Sequence, residues 1–268
     1  ADEKEFNDYK NKTADNKLFL STATAWNCKR TKDAYLWFAE GIDTYDSMNL
    51  EQVAFNLLSE DKNNSLKPFM VDMLNKADIN ISDYEFQTKE LSNEDISNLP
   101  IPFGIQISDP VKTAVKGYKI ITHHSIDNKT GKTDYALPFM LESEGTKKLF
   151  FFSPIVKQAL KNGKTIVIDE LDASLHPLLV KGIVDLFNDP AINTNQAQLV
   201  FNTHDVSTMS LDLFRRDQIN FINKDCNTGI SDLYSLDEFS PRKKENVRKG
   251  YMQGKFGAIP FVDFGGLK

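Results

Sequence analysis

The sequence predicts an α/β fold, with a strand-and-helix core over residues 111–268 and a mostly helical segment, read as an insertion or arm, over residues 1–110. Three observations carry this. Thr165-Ile166-Val167-Ile168 and Gln198-Leu199-Val200-Phe201-Asn202 are short and apolar, as strands buried on both faces of a parallel sheet are. Helical patterns alternate with them: Gly145–Leu160 places Leu149, Phe152, Val156 and Leu160 on one face, and Leu178–Phe187 follows the first strand. Apolar residues make up 40% of the 268, enough for one large domain or two small ones.

Taken in order, Leu18–Phe38 carries apolar residues at loosely helical spacing, and Asn49–Leu58 is a short helix candidate. Ser65-Leu66-Lys67-Pro68 opens another helix, with Phe69, Met70, Met73 and Leu74 as its buried stripe, and residues 78–82 break it. Asn93–Pro102 is polar and then proline-punctuated, as a linker is. Gly117–His124 reads as a strand, Asp127–Lys132 as a turn and Asp134–Leu141 as the returning strand. Ile219–Ile222 and Ile230–Tyr234 are later strand candidates, and there is no internal repeat.

The formal net charge of −6 excludes a surface that is basic throughout, although a local basic patch for nucleic acid remains open. Disordered, collagenous and low-complexity classes are excluded by composition. No apolar run approaches the roughly 20 residues of a membrane-spanning helix. Cys28 and Cys226 are too few for a disulfide framework, so the expected setting is the reducing cytoplasm. The chain opens Ala-Asp-Glu-Lys-Glu, without Met or targeting signal, and reads as though it begins in mid-protein.

The strongest chemical motif is the strand ending in Asp169-Glu170. Two acids at the carboxyl end of a buried strand sit where α/β folds bind ligands. There Asp169 can hold Mg²⁺, directly or through water, and Glu170 can polarise a water that attacks a γ-phosphate. The bland alternative is a strand that ends in solvated acids. Upstream, Glu142-Ser143-Glu144-Gly145-Thr146-Lys147-Lys148 opens a helix, where unpaired amides and the helix dipole favour a phosphate on the Ser143 hydroxyl and Gly145 N–H. Alone, Ser143 reads equally as an ordinary N-cap. Downstream, Val200-Phe201-Asn202-Thr203-His204-Asp205 puts an imidazole at a strand end, able to bond a γ-phosphate or to serve structure only. His123 and His124 read as strand residues, and no zinc-type spacing is present.

Together these residues resemble the soluble ABC-like, AAA-type ATPases related to the chromosome-maintenance and overcoming-lysogenization-defect proteins. Asp169-Glu170-Leu171-Asp172-Ala173-Ser174-Leu175-His176-Pro177 is similar to that branch's Walker B and D-loop, with His176 where transporter ATPases usually carry Asp. Residues 142–148 look like its S-x-G-T signature and 200–205 like its switch-histidine loop; residues 245–260 look like its closing motif. Leu18–Ser21 and Leu74–Asp78 bear a weaker similarity to its helical insertion. The resemblance implies the carboxyl-terminal lobe of a P-loop NTPase core, with Glu170 and His204 catalytic. It implies ATP bound by Ser143, Gly145, Thr146, Asp169, Ser174 and His204, and Mg²⁺ on Asp169. It also implies a homodimer that sandwiches ATP, roles in DNA repair or antiphage defence, an effector protein and DNA as partners, and no membrane. A transporter's nucleotide-binding subunit and a non-catalytic degenerate module are the alternatives.

No phosphate-cradling G-x-x-x-x-G-K-[ST] loop occurs in these residues. Gly131-Lys132-Thr133 has Ile126 where the first glycine belongs and sits in a hairpin. Gly163-Lys164-Thr165 has Gln158 there and enters a strand instead of leaving one. The expectation is that this Walker A lobe lies outside the 268 residues, with loss of nucleotide binding as the alternative.

Overall fold

The structure, a computed structural model, describes residues 2–46, 49–90, 116–128, 131–242 and 245–260. The first part contains helices α1 (Asp2–Lys12), α2 (Phe19–Ala25), α3 (Lys29–Glu40), α4 (Asn49–Glu60) and α5 (Lys67–Lys76). It also contains two strands, β1 (Ile42–Tyr45) and β2 (Asp83–Glu90), that the sequence reading does not include. Then come β3 (Lys116–Asn128), β4 (Gly131–Pro138), α6 (Glu144–Asn162), β5 (Thr165–Ile168), α7 (Pro177–Asn188), β6 (Gln198–Phe201), β7 (Asn220–Lys224), β8 (Ser231–Ser235) and α8 (Val247–Met252). The linker expected at 93–102 lies outside the described residues.

A three-stranded parallel sheet runs β1-β5-β6, with β5 in the middle. Asp43, Ile166 and Leu199 share a face with Tyr45, Ile168 and Phe201. Both isoleucines are buried, as burial on the core side requires. β1 is held there by the Lys164 ammonium, 2.8 Å from the Asp43 carboxylate across the pair. Within residues 1–110, where the described part is mostly helical, β1 belongs to the core sheet.

A second, antiparallel sheet runs β2-β3-β4. β2 is one of its edges, with Tyr84 turned into the core. The returning strand ends at Pro138, three residues earlier than its alternation suggests: Phe139–Leu141 turns as a 3₁₀ helix, burying Phe139 and exposing Met140 and Leu141.

α6 joins the two sheets. The sequence suggests one buried stripe, but Leu149–Val156 is buried all round, because β-sheet residues, α4 and α5 enclose it. The Phe150 ring centroid lies 4.9 Å from that of Tyr84 and 4.7 Å from that of Phe139. α6 even tolerates Pro154 in its interior. Proline cannot donate to the Phe150 carbonyl, and the Ser153 hydroxyl donates to it instead (2.8 Å). Gly163 ends the helix in the left-handed region, and a Cβ there would stand 2.5 Å from the Asn195 carbonyl oxygen. The segment 163–165 is thus a helix cap leading into β5, as its sequence context indicates.

A separate, smaller core gathers Ile219, Phe221, Leu236, Val247 and Phe256 around the β7-β8 hairpin and α8.

Candidate active site

The carboxyl end of β5 is where the motifs meet. The ladder continues one residue past the strand: Asp169 N–H donates to the Tyr45 carbonyl (2.8 Å) and Asn202 N–H to the Ile168 carbonyl (3.3 Å). This fixes Asp169 at the sheet's edge with its carboxylate exposed. Glu170 then takes a left-handed backbone, φ +50°. A glutamate adopts that region at a cost on the order of 1–3 kcal/mol, borne only where neighbours impose it.

Asn202 imposes it from one side. Its Oδ1 accepts from Glu170 N–H (2.6 Å), while its Nδ2 donates to Asp169 Oδ1 (2.5 Å). One carboxamide from the end of β6 therefore holds the Asp169 carboxylate and the Glu170 backbone together. From the other side, the Glu170 carbonyl accepts from Ala173 N–H (3.0 Å) and from the Lys148 ammonium of α6 (2.8 Å). Burial lowers the pKa of Lys148, and the charges of Asp172 and Glu170 oppose that shift. His204 sits in the loop after β6, 88% exposed, with Nε2 3.6 Å from Glu170 Oε1. Asp169, Glu170 and His204 thus share one open edge.

The signature opens α6 as expected. Ser143 is its N-cap: Oγ accepts from Thr146 N–H (3.1 Å) and lies 2.8 Å from Thr146 Oγ1. Ser143 itself is exposed, but Thr146 is buried. Thr146, which the resemblance places on ATP, is turned with its hydroxyl onto the cap. Gly145 packs within the chain: a Cβ there would stand 2.8 Å from the Ser174 carbonyl oxygen. Ser174, exposed and at φ +62°, belongs to the turn between β5 and α7. The first turn of α6 and the turn after Glu170 are therefore in contact.

Three residues gain roles that the sequence did not assign. Asn202 lies inside the quoted histidine loop, and its type, donor and acceptor in one group, was the available signal. His176 caps α7, Nδ1 accepting from Leu178 N–H (3.2 Å). His124, read only as a strand residue, has Nε2 2.8 Å from Oε1 of the part-buried Glu142, which also accepts from the Thr122 hydroxyl (2.5 Å). That cluster moors the start of the signature to β3.

The donor set suits Mg²⁺ on a nucleotide. Among the described residues, no group of three or more His, Cys, Asp or Glu is placed to cage a metal. Mg²⁺ commonly takes one or two carboxylates, with phosphate and water completing its shell. Asp169, with Oδ1 committed to Asn202, offers Oδ2 for that purpose.

The family described as "AAA domain, putative AbiEii toxin, Type IV TA system" matches residues 10–210. The chain belongs to this family. That makes it an ATPase-type, nucleotide-binding AAA module, and its mixed α/β fold with a parallel sheet agrees. The match spans the signature, the Asp169-Glu170 edge and His204. No match was found among curated proteins. Among the described residues, no helix is long and apolar enough to cross a membrane.

Proposed function

We propose that the chain is the catalytic lobe of an ATP-hydrolysing switch, in which Mg-ATP is held between two copies of the protein. The observation that carries this reading is the single carboxamide of Asn202 bonding both the Asp169 carboxylate and the Glu170 N–H, beside His204. A strand that merely ends in solvated acids has no need of that arrangement.

In this reading Asp169 holds Mg²⁺, whose charge offsets that of the phosphates. The Glu170 carboxylate orients and deprotonates the attacking water. His204, within reach of Glu170, bonds the γ-phosphate. Ser143 and the exposed start of α6 face nucleotide bound by the other copy, where the helix dipole favours an anion. The phosphate-cradling loop comes from a part of the protein outside these 268 residues. The cytoplasm, a DNA target and an effector partner remain part of the proposal, and a family description that names a toxin–antitoxin system favours defence over repair.

The test is Glu170→Gln in the full-length protein. Turnover should fall by about 10²-fold or more while ATP binding persists, because the amide cannot take a proton. Turnover within a few-fold of the unaltered protein would refute the assignment.

A further inference from the structure

We propose that Lys148 is a positioning residue for Glu170, through which the signature helix of a chain controls the geometry of that same chain's catalytic carboxylate. This deepens the proposed function and rests on it. The juxtaposition has three parts. The Lys148 ammonium, in the second turn of α6, donates to the Glu170 carbonyl (2.8 Å). Glu170 holds a left-handed backbone that its sequence does not favour. Gly145, one turn nearer the start of α6, lies against the Ser174 carbonyl at the far end of the same turn.

The turn 170–174 is therefore gripped at both ends by the first two turns of one helix. Asn202 fixes the N–H of Glu170, and Lys148 fixes its carbonyl. With both peptide groups held, the Cα–Cβ bond of Glu170 has a fixed direction, which limits where its carboxylate can reach. A shift of α6 reaches the carbonyl through the lysine.

Asp172 supplies a second, independent sign. Its Oδ1 is buried without a hydrogen-bond partner, and its charge acts on Lys148. A buried acceptor without a partner is costly, so an arrangement that pairs it is favoured to that extent. Transfer of the lysine's bond towards Asp172 would satisfy that oxygen and release the Glu170 carbonyl. The signature half-site, occupied by the other copy's nucleotide, thus gains a line to the hydrolytic half-site of its own chain.

The experiment uses the full-length protein with Lys148→Met, which keeps the apolar stem without the donor, and Lys148→Arg, which restores a donor. Lys148→Met should lower kcat at least about tenfold and leave the Kd for Mg-ATP within about twofold, with Lys148→Arg recovering most of the loss. In a Glu170→Gln background, Lys148→Met should subtract nothing more, since both act on one carboxylate. Normal kcat in Lys148→Met, beside an inactive Glu170→Gln, overturns the inference and leaves the proposed function standing. Equal losses in Lys148→Met and Lys148→Arg with a lowered unfolding temperature assign the lysine a merely structural role and overturn it too. An active Glu170→Gln fails the proposed function first.

Discussion

Asn202 shows how much one side chain can settle. Asp169 and Glu170 are adjacent in sequence, and two adjacent side chains on an extended strand would point to opposite faces. The left-handed turn at Glu170 breaks that alternation, and the carboxamide uses both its donor and its acceptor to stabilise the broken form. Asn202→Ala removes both bonds at once. Without them Glu170 is free to leave its strained backbone, so turnover should drop about 10- to 100-fold, the scale typical of a mispositioned general base. Asn202 lies on the exposed edge, so the unfolding temperature should move by only a few degrees. Steady-state kinetics beside a thermal melt checks both halves; unchanged turnover would deny Asn202 its orienting role.

At the scale of elements, α6 carries the argument from core to site. Its mid-section is buried all round, and its first two turns reach the edge that carries Asp169 and Glu170. The Ser153–Pro154 pair is the weak point it has repaired. Ser153→Ala leaves the Phe150 carbonyl unpaired in the core, a loss of about 1–3 kcal/mol. Pro154→Ala restores a backbone N–H at the position from which a helix normally bonds that carbonyl. The double variant should therefore unfold at higher denaturant than Ser153→Ala alone, and a double-mutant cycle from urea melts measures the coupling. Strict additivity would show that the serine does not substitute for the missing N–H. Elements of this kind were legible where local pattern and burial agree, as in β5 and α7; β6 was legible as a strand, but it is the last in its sheet and exposes Val200 instead of being buried on both faces. β1 was not, because Ile42-Asp43-Thr44-Tyr45 is short and half polar, and its charge is met by Lys164, far along the chain. β2 does alternate, with Tyr84 and Phe86 against Asp83, Glu85 and Gln87, so its signal was present in period but masked by its polar majority. The site was legible as residue types in order; the links through Asn202 and Lys148 were not, since they depend on which segments the fold brings together.

At the scale of the molecule, the question is whether a chain uses its own signature or lends it. Gly145 cannot answer this: a side chain there strikes the chain's own Ser174 carbonyl, so Gly145→Asp would damage the turn after Glu170 whatever the partner does. Ser143 can. It is exposed, it caps α6, and Met140 and Leu141 lie exposed just before it, a surface suited to burial against a second copy. Asp caps helices about as well as Ser, and a negative charge at a helix N-terminus is favourable in isolation. Ser143→Asp should therefore keep the fold and the unfolding temperature. The same carboxylate would repel a phosphate brought by the other copy. Ser143→Asn keeps a neutral cap and serves as the control. In the full-length protein carrying Glu170→Gln, which retains ATP, sedimentation should show dimers with Mg-ATP for the Ser143→Asn form and monomers for the Ser143→Asp form. Equal dimerisation of the two would mean that no phosphate approaches Ser143 from the partner, and the two-fold sandwich would have to be abandoned even if Glu170 remains the catalytic base.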